Sequence, residues 1–160
     1  MGLLRIVVMG NHLAVFISSV IVTGLVSHFL HRYSYRGTHL VYTEVIAVIT
    51  LALYMFGMIL PLFDFYEGFL MPVNLAFSYL WLTSFIFAAQ DWSGDRCVFA
   101  PPGRDECGKK HTIEAFTFLA FFFLLCNTIA EALLWGLHRR DFSFFKKSGS
   151  HRGSASVTEA

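Results

Sequence analysis

Two groups of residues in this 160-residue chain have types and spacing that could do chemistry. Cys97 and Cys107 lie in "DWSGDRCVFAPPGRDEC", among Gly94, Pro101, Pro102 and Gly103. So short and turn-rich a loop lets two sulfurs reach bridging distance, and the chemistry on offer is oxidation to a disulfide. The alternative is a pair of free thiols; zinc would need more ligands than nearby His111 supplies. The second group is His12 and Glu131, a base and an acid inside apolar runs, each close to an asparagine, Asn11 and Asn127. They could relay a proton or cation. They could equally bond between helices, at roughly 1 kcal/mol each. Glu131 is the only acid well inside, and no second acid or base marks a path. The pattern therefore favours a buried polar layer of Asn11, His12, Asn127 and Glu131. No nucleophile–base pair, metal-ligand spacing or glycine-rich phosphate loop is visible, so neither an enzyme, a metal nor a cofactor is expected.

The elements that must position these residues are legible in the hydropathy. The chain is 56% hydrophobic and only 14% charged, against about 25% charged in soluble domains. A net charge of +1 gives no basic face to track nucleic acid. A bilayer core of roughly 30 Å needs about 20 apolar residues in a helix. Residues 6–29, 40–63, 68–89 and 113–135 each meet this. With no water to satisfy backbone groups they must be helices, and the expected fold is an all-α membrane protein, an antiparallel four-helix transmembrane bundle. The turn "DFYE" at 64–67 joins the second and third spans tightly, while the outer loop takes residues 90–112. Thr112 is expected to cap the fourth helix, and Trp92 to anchor the third at the membrane interface. From 137 to 160 the chain reads as a basic segment followed by a Ser/Gly-rich disordered tail.

Four spans put both ends on one side. Lysines and arginines number six on each side, so the positive-inside rule does not decide which. The cysteine pair does: disulfides persist in oxidising compartments. The loop then faces the lumen or exterior and both termini face the cytosol. Closing the bridge would stabilise the fold by ~3 kcal/mol. Arg139, Arg140, Lys146 and Lys147 follow the fourth span, among Phe142, Phe144 and Phe145, and are expected to contact anionic lipid. Small residues at four-residue spacing (Gly10, Ala14, Ser18; Ser19, Thr23, Ser27) mark the first helix for close packing, within the bundle or against another copy.

The runs "AFSYLWLTSFIFAAQDW" and "KKHTIEAFTFLAFFFLLCNTIAEALLW", with four spans and a cysteine-bearing third loop, resemble the MARVEL domain family. The similarity covers roughly residues 5–136 and looks closest to fungal members, relatives of the non-classical export proteins. The resemblance implies a non-enzymatic plasma-membrane protein of membrane apposition, microdomain organisation or vesicle traffic, with sterol or sphingolipid and other membrane proteins or copies of itself as partners. A small proton-coupled transporter or channel, or an accessory subunit of a larger complex, are the competing expectations. Claudins also pair a tryptophan with two cysteines, but in their first outer loop. The corresponding "HRYSYRGTH" here has no cysteine.

Overall fold

The computed structural model describes residues 2–57, 71–104 and 106–152. They form α1 (Gly2–Arg32), α2 (Thr38–Gly57), α3 (Met71–Trp92), the single turn α4 (Arg96–Phe99) and α5 (Cys107–Arg152), with no strand among the described residues. Four stretches are long and apolar enough to cross a bilayer: Met9–Arg32, Thr38–Phe56, Met71–Trp92 and Cys107–Leu133. The shortest has 19 residues, about 28 Å at 1.5 Å per residue, close to the bilayer core thickness. The all-α four-helix membrane fold read from hydropathy is the observed one.

Each long helix turns a narrow stripe inward. On α1 it is Val15, Ser19, Val22, Val26 and Phe29; on α2, Leu40, Thr43, Ala47, Thr50 and Tyr54. On α3 it includes Asn74, Ser78, Trp81, Ala88 and Trp92; on α5, Lys110, Ile113, Thr117, Ala120, Leu124, Asn127 and Glu131. Steps of three and four alternate on α1, α2 and α5, the spacing of a supercoiled seam. The outward faces are apolar and exposed, with Ile17, Val45, Leu53, Tyr79, Phe122 and Leu133 among them. Lipid is as apolar as these side chains, so the bundle must be held by close packing and interhelical hydrogen bonds. α5 packs on α1 and α3, and α2 packs on the same two helices. Neither α2 with α5 nor α1 with α3 meets among the described residues, so the order around the bundle is α1, α2, α3, α5.

The helices outrun their expected ends. α5 begins at Cys107, not at 113, and α3 continues through Trp92. The expected outer loop 90–112 contracts to residues 93–106 around α4. Thr112 is no cap: it sits inside α5, its Oγ1 donating to the Gly108 carbonyl at 2.7 Å. α5 also continues to Arg152, with no proline to stop it. The backbone of 137–152 is therefore helical where a basic and then disordered tail is expected. Residues 58–70, which hold the "DFYE" turn, Pro61 and the expected ends of spans two and three, lie outside the described residues, as do 153–160.

Candidate functional site

The polar residues inside the spans pair in an ordered way. Among the described residues four hydrogen bonds between side chains join α2 to α3: His39 Nδ1 with Asp91 Oδ2 at 2.9 Å, Thr43 Oγ1 with Ser84 Oγ at 2.7 Å, Trp81 Nε1 donating to Thr50 Oγ1 at 3.0 Å, and Tyr54 Oη donating to Asn74 Oδ1 at 2.8 Å. As the α2 number falls from 54 to 39 the α3 number rises from 74 to 91, so the ladder runs the length of the seam. Thr50 accepts from Trp81 and donates to the Ile46 carbonyl at 2.7 Å. Thr43 donates its one proton to the His39 carbonyl at 3.0 Å, so Ser84 is the donor between the two hydroxyls. An unmet polar group costs far more without water, so rotating either helix by a residue would strand several of these groups. The ladder fixes which face α2 shows α3.

At one end the ladder joins all four long helices. Asn74 Nδ2 donates to Glu131 Oε1 at 3.1 Å, and the His12 ring lies 5.2 Å from the Tyr54 ring. α1 supplies His12, α2 Tyr54, α3 Asn74 and α5 Glu131. Tyr54, Asn74 and Glu131 are buried, and His12 is half-buried. Asn127, one turn before Glu131, is fully buried, and its carboxamide has no hydrogen-bond partner among the described residues. Of the expected polar layer, then, Asn127 and Glu131 lie in the core, His12 reaches it through Tyr54, and Asn11 is half-buried. The links are Asn74 and Tyr54, which sequence reasoning passes over. Asn74 carried a usable signal, an amide inside an apolar span.

The opposite end is built on Lys110. Its ammonium is fully buried and donates to the carbonyls of Cys97, Ala100 and Gly103, each at 2.8 Å. Three acceptors match its three protons. Gly103 turns at φ 65°, and a side chain there would meet the Tyr33 ring at 2.6 Å. Cys97 and Cys107 lie at disulfide distance, their Cα atoms 5.5 Å apart. Trp92, expected as an interfacial anchor, is instead buried beneath the loop, its Nε1 donating to the Pro101 carbonyl at 3.3 Å. Removing the bridge by Cys97→Ser is expected to lower stability by about 3 kcal/mol, read as a thermal shift that reductant reproduces in the parent protein.

Around this clamp lie smaller pairs. His39 stacks on Phe87 with centroids 4.1 Å apart and, with Asp91, Trp92 and Pro101, lines a cavity of about 260 Å³. Ser27 donates to Glu44, and Lys109 lies 3.3 Å from His28. Desolvation pushes Glu106 upward, but the Lys109 hydrogen bond and charge, with the Tyr33 hydroxyl and His28, outweigh it and hold the carboxyl below its usual range. This small contribution is present above the ordinary carboxylate pKa and is lost as pH falls through the lowered one.

Among the described residues no three His, Cys, Asp or Glu side chains converge on a metal position. The arrangement is one of hydrogen-bonded pairs that hold helices and a loop in register. Arg139, Arg140, Lys146 and Lys147 lie on the helical backbone of α5, and their side chains are outside the described residues. The architecture is thus four apolar spans, polar groups turned onto one another, and a cystine-bearing loop before the last helix. No curated protein and no solved structure matches the chain, whereas the MARVEL family model, described as a membrane-associating domain, matches residues 1–130. Since that match takes in all but the tail and the last few residues of the fourth span, the chain belongs to the MARVEL family of membrane-associating domains.

Proposed function

We propose that this protein is a non-enzymatic integral membrane protein that organises the bilayer around it through lateral helix packing and lipid contact. One observation carries the reading. The polar groups of the spans are largely spent on one another, and the faces left over are apolar and run the length of the helices. Such a molecule offers its surroundings a packing surface, with copies of itself, other membrane proteins and sterol or sphingolipid as the partners. In this reading the cystine loop faces an oxidising space, both termini are cytosolic, and the membrane is the plasma membrane.

Reconstitution tests it. Labelled protein in vesicles should assemble, with several bleaching steps per spot at low protein density and no proton leak. Glu131→Gln should leave both results unchanged. A protein that stays monomeric, and whose proton flux vanishes with Glu131→Gln, would instead be a carrier. Monomers that copurify in mild detergent with a second membrane protein would make it an accessory subunit.

The tail adds a lipid preference. On a continuous α5, positions 139 and 146 share a face, and 140 and 147 sit beside them. Replacing each of Arg139, Arg140, Lys146 and Lys147 by Gln should weaken the enrichment of anionic lipid around the full-length protein by about 1 kcal/mol per charge removed. The difference should disappear near 1 M salt, where screening acts within about 3 Å. Enrichment indifferent to these charges would remove them from the reading.

A further inference from the structure

The cystine loop is locked twice, by the Cys97–Cys107 contact and by Lys110, and what it holds in place is apolar. Phe99 is 79% exposed and Val98 41%, adjacent residues on the single turn α4. Their height relative to the spans follows from their neighbours. Phe99 and Ala100 share a surface depression with Gln90 and Asp91 of α3, and Arg96 Nη1 reaches back to the Gln90 carbonyl at 3.2 Å. Pro101 and Pro102 line a cavity with Phe87 and Ala88, deeper still along α3. The chain after Trp92 therefore folds back beside the last turns of a membrane span. Phe99 lies level with residues inside Met71–Trp92, at the headgroup–acyl boundary where interfacial helices bury Trp, Phe and Leu. Trp92 is covered, so the exposed aromatic that the fold-back presents at this level is Phe99, with Tyr35 of the α1–α2 link, 47% exposed, near the same helix ends.

We propose that α4 is a membrane-surface foot, in which Phe99 and Val98 insert into the headgroup–acyl boundary of the leaflet on the loop side. The occupant of this face is the host bilayer, because α4 continues the lipid-facing surface of α3 at the height where that surface ends. The charges beside it, Asp91, Asp95 and Arg96, leave no basic excess, so apolar insertion and not attraction to anionic headgroups supplies the binding. The double lock pre-organises it: a foot already held in its bound shape has little conformational entropy left to lose. The inference needs only that the four helices span a bilayer. It holds whichever compartment the loop faces and whether or not the protein organises its surroundings.

A Phe99→Trp protein in phosphatidylcholine vesicles reads it out, taken as the emission added over the parent's own tryptophans. The added emission should be blue-shifted and lost to phosphatidylcholine brominated at the top of its acyl chains. It should persist in aqueous iodide and be indifferent to added anionic lipid. Val98→Trp, read the same way, keeps the test alive should the first variant misfold. Emission quenched by iodide and not by brominated lipid would put the foot in water and overturn the proposal. Emission that neither quencher reaches would mean that a second copy or another protein covers α4, and would overturn it equally.

Discussion

A Lys110→Met protein should be about 2–4 kcal/mol less stable than its parent, because buried carbonyls lose a charged donor. The ammonium is fully buried and meets three backbone carbonyls at 2.8 Å. Methionine fills similar volume and donates nothing, so the Cys97, Ala100 and Gly103 carbonyls lose their common donor, at about 1–3 kcal/mol for each that water cannot reach. Lys110→Arg is not a conservative repair, because a planar guanidinium cannot point three protons at three converging acceptors. The control is Lys109→Met next door. That lysine is 42% exposed in its pair with Glu106, and its removal should cost well under 1 kcal/mol. Thermal unfolding in nanodiscs, with proteolysis at residues 98–104 as a local probe, distinguishes them. Equal losses from the two lysines would mean that the clamp contributes nothing.

The second large effect is expected at Asn74. Its carboxamide accepts from Tyr54 at 2.8 Å and donates to Glu131 at 3.1 Å, so Asn74→Leu removes two contacts at once. Hydrogen bonds between membrane helices average only about 0.6 kcal/mol, since the separated helices also find partners. If that were all, the loss would be near 1 kcal/mol. Glu131, however, is only 4% exposed, and taking a donor from a buried carboxyl costs more than the bond was worth. The expected loss is about 2–4 kcal/mol. Glu131→Gln keeps an acceptor for Asn74 and should cost less than about 1 kcal/mol. The double variant Asn74→Leu with Glu131→Leu should recover much of the loss, because both polar groups leave together. Unfolding titrations of these variants, with Glu131→Leu alone to close the cycle, check it. If the double variant is merely the sum of the singles, the two residues are not coupled.

How far the sequence speaks depends on the residue. The spans were legible because lipid demands long apolar runs, and the cysteine pair because few positions separate the two. Asn127 and Glu131 stood out as polar residues in grease. Lys110 did not, because a lysine beside a lysine reads as solvated loop. Yet 110, 113, 117, 120, 124, 127 and 131 form one seam of α5, all buried, and extending the stripe toward the N-terminus lands on Lys110. The three carbonyls that receive it come from α4 and the turn after it, a fold-back that no periodicity encodes. Partners across the α2–α3 seam were hidden for a related reason. Thr43, Thr50 and Ser84 are tolerated in any membrane helix, since each can bond its own preceding turn. Only the register between helices shows which of them meet.

The fold-back of α4 and the residues after it onto the end of α3 also sets the molecule's profile. The segment linking α1 to α2 has only five residues, 33–37, and the longer one lies flat against the helix ends. Neither of these two links makes a stalk: among the described residues both stay close to the helix ends. A neighbour diffusing in the same two-dimensional sheet meets a low rim here and not a projecting arm.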